Sequence, residues 1–273
     1  MEFSLYFKTL KDYYRKPYTV PTQRQTNPSY EMKVPLSVIT LLLSVTATAQ
    51  NFDLGSWNIL NIKYTYSEKW SIFAEAQLRS LKFYNDFHYY EYKGGVNYKI
   101  GKNIKVTLGA GSYQTYKEGG DFVLPKNNNE FRVWPQIVLS QSISKLKIEQ
   151  RYRAELRFTS SGYRNRFRYR LGVSYPFGKD LDGYKPFQIS ASNELFFTDN
   201  EPYFERNRAL VAFNYKPSMT VTLQVGYLHQ FDYKINDETG RDFIQIGVFI
   251  ELYRKATKNS HHDSTSEIEL KDN

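Results

Sequence analysis

The chain has 273 residues, no cysteine, 17% aromatic residues and a formal net charge of +9. This length suits one large domain or two small ones, and the missing cysteines exclude disulfides, cysteine-ligated zinc and thiol catalysis. The mean hydropathy of −0.60, with no run reaching the roughly 18 apolar residues that a spanning helix needs, excludes a bundle of transmembrane helices.

A short apolar segment, Pro35 to Ala49 (PLSVITLLLSVTATA), is the first feature along the chain. Lys33 precedes it and the small residues Ala47-Thr48-Ala49 end it, which is the arrangement of a secretory signal peptide. The pattern predicts cleavage between Ala49 and Gln50. The alternative interpretation is a buried helix or strand.

Signal peptides begin at or near the initiator methionine, yet 31 residues precede Met32. We therefore expect Met32 to be the true start, with residues 32–49 as the signal peptide and 1–31 as upstream sequence. An unusually long basic segment ahead of the apolar run is the alternative. Removal of residues 1–49, which hold six basic and three acidic residues, lowers the net charge from +9 to +6.

Hydrophobic and polar residues then alternate from Trp57 to Tyr253, for example Leu60, Ile62 and Tyr64 against polar neighbours. A period of two indicates strands with one apolar face. About eleven such segments are present, each of roughly 10–14 residues, whereas soluble strands are typically about 5–6 residues long and tilted membrane strands need about 9–11. Strand length therefore predicts an all-β fold, an antiparallel transmembrane β-barrel over residues 50–254.

The strand number and the lumen follow from the same interpretation. Single-chain bacterial barrels have an even number of strands, so we expect ten or twelve strands around a closed, polar, charged lumen. Residues 255–273 are polar and lack a period, which predicts a disordered tail. Connections alternate between short and long, as periplasmic turns and extracellular loops do, with exceptions near residues 159–162 and 176–185.

Alternation alone does not tell which face points outward. The signal peptide, the strand length and tyrosines near strand ends, which are typical of interfacial aromatic girdles, favour a membrane barrel with its apolar face in lipid. A secreted soluble β-protein is the alternative.

Several short segments carry a resemblance to a known family. They are Glu130–Gln136 (EFRVWPQ), Arg151–Arg157 (RYRAELR), Arg166–Arg170 (RFRYR), Asn193–Phe196 (NELF) and Asn207-Arg208. Together they resemble an uncharacterised outer-membrane barrel family common in Bacteroidetes, domain of unknown function 2490, over about Trp57 to Leu252. The resemblance implies a barrel and an outer-membrane location, and it implies no activity. Pro135 lacks the N–H that a central strand uses, so we expect a bulge or an edge there.

The strongest chemical feature is the charged face of the fifth to ninth segments, which a membrane barrel turns into the lumen. Eleven cations, ten arginines and Lys147, face four carboxylates there, so the arginines need partners across the lumen, water or a bound anion. The candidate lumen network is Glu130, Arg132, Glu149, Arg151, Arg153, Glu155, Arg157, Arg164, Arg166, Arg168, Arg170, Glu194, Arg206 and Arg208.

Three functions are compatible with this pattern. The leading interpretation is a non-enzymatic outer-membrane barrel of a Gram-negative bacterium, in which the Arg/Glu network fills the lumen. The second is a narrow anion-preferring, porin-like channel, since rings of charge tune pore selectivity. The third is a lipid-modifying enzyme, but His88 lies among loop aromatics and His229 has no serine on its face of the neighbouring strands.

Cofactors, metals and partners are constrained by the same residues. His261 and His262 form only a weak metal motif, because no further ligands have suitable spacing, so we expect no metal and no cofactor. The basic residues alternate within strands rather than forming an exposed cluster, which argues against nucleic acid. The expected partners are outer-membrane lipid, lipopolysaccharide and small anionic solutes, and the oligomeric state stays open.

Overall fold

A computed structural model describes residues 54–181, 183–233 and 238–254. The proposed signal peptide, the cleavage site at Ala49 and Gln50, and the tail from residue 255 lie outside these residues. The described part is all β, with eleven strands: β1 Leu54–Thr65, β2 Trp70–Lys82, β3 Asn85–Ile100, β4 Ile104–Lys117, β5 Val123–Ile143, β6 Leu146–Thr159, β7 Gly162–Phe177, β8 Phe187–Thr198, β9 Phe204–Tyr215, β10 Val221–Asp232 and β11 Thr239–Tyr253. No helix in these ranges is long and apolar enough to cross a membrane.

The strands form one closed barrel in which each pairs with its neighbour in the chain and β1 closes the ring on β11. Every pairing is antiparallel except this last one, which is parallel and runs from Leu54 opposite Asp242 to Thr65 opposite Tyr253. A meander of eleven strands brings its first and last strands together in the same direction. The count of eleven from the alternation is confirmed, whereas the expectation of an even number and of purely antiparallel pairing is wrong.

The odd strand number places the two chain ends of the barrel at opposite rims. We call these the Leu54 rim, where β1 and β11 begin, and the Tyr253 rim, where both end. Two-residue turns occur at both, Phe83-Tyr84 at the Leu54 rim and Ser144-Lys145 at the Tyr253 rim. Short and long connections therefore do not separate the two rims as the sequence suggested.

Alternation along each strand produces an apolar outside and a polar inside. Leu108 and Val211 point outward with 63% and 59% of their surface exposed, whereas Glu155 and Arg166 point inward with 1% and 3% exposed. Polar and charged residues thus occupy the interior that a soluble barrel fills with hydrophobic side chains. The predicted assignment of the two faces to inside and outside matches the burial pattern of the strands.

Two small apolar clusters interrupt the polar interior. Trp57 packs with Leu228 and Phe243 in one, and Trp134 packs with two tyrosines in the other, fully buried. Gly109 allows the second cluster, because a Cβ at this position would lie 2.5 Å from the Trp134 ring.

Pro135 sits in the middle of β5 without the predicted bulge or edge. It lies opposite Leu108 of β4, and on the β6 side the ladder passes from Val133–Leu156 to Gln136–Arg153 without a change of register, with Trp134 and Pro135 left out of the pairing. No residue is inserted, so this prediction is wrong. The motif that contains Pro135 instead directs Glu130, Arg132 and Trp134 into the lumen.

Candidate functional site in the barrel lumen

The centre of the lumen is organised around Glu155 of β6, whose side chain has no exposed surface. Arg166 donates its Nε and Nη2 to Oε2 of Glu155 at 2.8 and 2.7 Å. Arg168 donates Nη1 to the other oxygen at 2.6 Å, and Arg132 and Arg153 approach at 3.9 and 3.5 Å. A buried carboxylate with this many guanidinium partners retains its charge and orders the arginines around it.

Two further carboxylates extend this network along the wall. Glu194 of β8 accepts from Arg151 at 2.5 Å and from Arg168 at 2.8 Å, so Arg168 joins Glu194 to Glu155. Glu130 of β5 accepts a pair of hydrogen bonds from Arg132 at 2.7 and 2.8 Å, and it also pairs with Arg157. The arginines on alternate positions of β6 and β7 thus share carboxylates from β5, β6 and β8.

Other acids of the network were missed from the sequence. Glu205 pairs with Arg166 at 3.1 Å, and Asp232 pairs with Arg206. Glu91 pairs with Arg79 at 3.2 Å and with a lysine at 2.5 Å. The alternation did place Glu91 on the polar face of its strand, but its partners lie on β2 and β3, outside the charged face of the fifth to ninth segments.

The structure brings most of the predicted lumen residues together. Those in ion pairs are Glu130, Arg132, Glu149, Arg151, Arg153, Glu155, Arg157, Arg166, Arg168, Arg170, Glu194 and Arg206. Arg208 lies in the lumen without an ion pair among the described residues, and its Nε donates to the amide oxygen of Gln230 at 2.8 Å. Arg164, the third residue of β7, is exposed and forms no ion pair within the described part of the chain.

Aromatic rings also contact several of the lumen arginines. The guanidinium carbons of Arg166, Arg168, Arg206 and Arg208 lie 5.4, 4.5, 5.8 and 4.8 Å from the centre of the Phe196 ring. Phe196 itself is completely buried. Trp57 has Arg79 at 3.4 Å and Arg208 at 4.8 Å from its ring centre. Cation–π contacts of this kind stabilise guanidinium groups that are removed from water.

These side chains surround a cavity of about 660 Å³. Its lining reaches the Leu54 rim at Glu118 and Tyr233 and continues inward to Gln224 and Phe249. Twelve cationic and seven anionic side chains line it, and Glu149 and Glu155, which pair with lining arginines, reduce the positive excess of the wall to three. Such a wall attracts anions and repels cations.

The features expected for catalysis or metal binding are weak. His229 faces outward on β10, and its Nδ1 lies 2.7 Å from Oδ1 of Asp242. The residues paired with His229 on its two sides are Ala209 and Asp242, neither of which carries a hydroxyl nucleophile. Within residues 54–181, 183–233 and 238–254, no group of His, Asp and Glu has the arrangement of a metal site. His261 and His262 lie outside the described residues.

Comparison with known proteins identifies a family and no characterised relative. No curated protein matches the chain. The family model described as Protein of unknown function (DUF2490) matches residues 54–241, which covers β1 to β10, the start of β11 and the lumen network. Because the match spans well over half of the sequence, the chain belongs to the DUF2490 family of proteins of unknown function.

Proposed function

We propose that this protein is a non-enzymatic β-barrel of the Gram-negative outer membrane, in a Bacteroidetes bacterium, and that its lumen takes up small anionic solutes. The membrane part of the proposal rests on the apolar outer surface, where Leu108, Val211, Val225 and Phe213 are all strongly exposed. Monomeric soluble proteins rarely expose apolar patches larger than a few hundred Å². A closed barrel also satisfies its backbone hydrogen bonds internally, as spanning a bilayer requires.

The predicted signal peptide supports export, and the strand lengths of 12 residues and more suit a bilayer. Strands tilted in a membrane need about 9–11 residues. The outward tyrosines Tyr64, Tyr92 and Tyr215 are exposed, which is compatible with the aromatic girdles of membrane barrels. Outer-membrane lipid and lipopolysaccharide would surround this surface.

The observation that carries the lumen function is the positive excess of the cavity wall. The carboxylates pair with the arginines of β6 and β7, so the network has a structural role: it fixes the positions of the charged side chains on the lumen wall. When Glu149 and Glu155 are counted with the lining residues, the wall still has three more positive than negative charges. Charge of one sign in a narrow, low-dielectric space raises the local concentration of the opposite ion, which gives the lumen an anion preference.

Conductance in planar lipid bilayers tests this function. The purified protein, with heat-modifiable gel mobility as the folding control, should give discrete current steps in a KCl gradient and a reversal potential of the sign expected for chloride preference. Arg170→Glu places a negative charge in the cavity wall and should move the reversal potential toward cation preference. Lys179→Glu makes the same charge change in an exposed turn and should leave it nearly unchanged.

A folded barrel that carries no current would contradict passage of ions through the lumen. A reversal potential that indicates cation preference would contradict the role assigned to the positive wall.

The enzyme alternative has one supporting contact, the His229–Asp242 pair. A hydrolysis assay on bilayer phospholipids, with His229→Ala as the comparison, would detect such an activity. We expect no hydrolysis, because neither strand-paired neighbour of His229 supplies a nucleophile.

A further inference from the structure

Arg208 differs from the other buried lumen arginines because its hydrogen-bond acceptor is a neutral amide and not a carboxylate. Its Nε donates to Oε1 of Gln230, and the Nε2 of Gln230 donates in turn to Asp232 at 2.6 Å. Asp232 already pairs with Arg206. Asp232 is therefore used by Arg206, and Arg208 forms no ion pair among the described residues, although Glu194 lies opposite it in the β8–β9 ladder.

The surroundings of Arg208 make the missing ion pair energetically unfavourable. The guanidinium contacts two aromatic rings, with its carbon 4.8 Å from the ring centres of both Trp57 and Phe196. Nε is the only Arg208 nitrogen with a hydrogen-bond partner in the described part of the chain. Nη1 and Nη2 are therefore available to an acceptor in the cavity. Such an acceptor would be favoured, because removing a charged group from water without an ionic partner is strongly unfavourable.

A second arginine contacts the Trp57 ring in the same corner. Arg79 stacks on the Trp57 ring at 3.4 Å from its centre. It donates to Gln77 at 2.9 Å and to Glu91 at 3.2 Å, but its buried Nε has no partner among the described residues. Arg79, Arg206 and Arg208 all line the cavity, together with Trp57 and Gln230.

From this geometry we infer that the corner formed by Arg79, Arg206, Arg208, Gln230 and Trp57 is a binding site for an oxyanion, the carboxylate or phosphate group of a small solute. The Nη atoms of Arg208 present two parallel N–H donors, which match the two oxygens of such a group. The Trp57 ring borders the site and provides an apolar surface for the rest of the solute. The inference rests on the proposed function, because it names the position at which an anion inside the lumen is held.

Isothermal titration calorimetry on the full chain, folded in detergent micelles, tests the site with inorganic phosphate and with acetate at constant ionic strength. Chloride serves as the comparison anion. We expect saturable binding of at least one oxyanion, and the stronger of the two identifies a phosphate or a carboxylate as the preferred group. Trp57 emission should change over the same concentration range, and this change should be absent in Trp57→Phe.

Arg208→Gln removes the unpaired charge and should weaken binding at least about tenfold, since hydrogen bonds to charged groups are the strong ones. Arg170→Gln is the matched control, because it removes one positive charge from the same cavity wall at a residue paired with Glu149 at 3.1 Å. Its affinity should remain within about twofold of the unmodified protein, as expected for a charge that does not touch the ligand. Heat-modifiable mobility shows that both variants are folded.

Two results would overturn the site. One is the absence of saturable binding of either oxyanion to the folded protein, and the other is equal weakening by both substitutions, which would indicate a diffuse attraction by the wall. Bilayer measurements on the same samples separate this failure from that of the proposed function. Anion-preferring conductance without binding removes the site alone, whereas binding without conductance retains the site and removes passage.

Discussion

Arg166 donates two hydrogen bonds to a single oxygen of Glu155, at 2.8 and 2.7 Å, in a part of the lumen where the Glu155 side chain has no exposed surface and that of Arg166 has 3%. The two residues face each other across the β6–β7 ladder. Their interaction is bidentate for the arginine and leaves the second Glu155 oxygen for Arg168. Removal of one carboxylate therefore affects several arginines at once.

Glu155→Gln should destabilise the folded barrel by about 3–5 kcal/mol, the usual cost of leaving a buried charge without its partner. Glu149→Gln is the control, because the Glu149 side chain is 30% exposed and has one arginine partner, for which about 0–1 kcal/mol is expected after screening by solvent. The urea midpoint of the heat-modifiable gel band measures both. Equal midpoints for the two variants would contradict a central role for Glu155.

The alternation in the sequence was sufficient to assign Glu155, Arg166 and Arg168 to the lumen, because a strand repeats every two residues and strand length was clear. It could not assign partners. Arg151 and Glu194 are 43 positions apart and meet at 2.5 Å because β7 pairs with both of their strands, which sets the two residues on either side of Arg170. Arg164 has the same alternation as Arg166, yet it is exposed, since it lies at the beginning of β7 near the rim.

The strand number shows a similar limit. The number of alternating segments in the sequence equals the observed eleven strands. The expectation of ten or twelve strands came only from the general preference of bacterial barrels for even numbers. Closure through a parallel β1–β11 pair depends on a contact between the first and last strands. The alternation within each strand carries no information about such a contact. Pro135 is likewise accommodated in a central strand without a bulge, because it pairs on the β4 side and the β6 register is the same before and after it.

Gly109→Ala should destabilise the barrel through a steric clash inside the lumen. The new Cβ would lie 2.5 Å from the Trp134 ring, and Trp134 is completely buried, so the ring cannot move away freely. Overpacking of this kind typically costs about 1–3 kcal/mol. Chemical unfolding monitored by the gel shift measures the change.

Gly172→Ala provides the control for that substitution. It also lies in a strand, but the nearest atom to its added Cβ would be the Ser192 Cβ at 3.7 Å, an ordinary contact. We expect a stability within about 0.5 kcal/mol of the unmodified protein, as for substitutions that create no clash. If Gly172→Ala were as destabilising as Gly109→Ala, the effect would reflect loss of glycine in general and not contact with Trp134.

Val211→Arg tests directly whether the outer surface faces lipid. Val211 points outward near the middle of β9, is 59% exposed and is paired with Ala191 and Tyr227. An arginine on the lipid face near the bilayer midplane costs about 2–4 kcal/mol, whereas near the interface the cost falls to about 0–1 kcal/mol. We therefore expect Val211→Arg to lower the unfolding free energy in phospholipid bilayers by the larger amount.

Leu124→Arg is the matched control, because Leu124 is 71% exposed and is the second residue of the 21-residue β5. A strand of that length extends beyond the hydrocarbon layer, which about 9–11 residues cross. Urea unfolding in vesicles should therefore show a small effect for Leu124→Arg and a large one for Val211→Arg. A soluble barrel would tolerate both substitutions equally, since each places a charge on a surface in contact with water, and that result would contradict the membrane assignment.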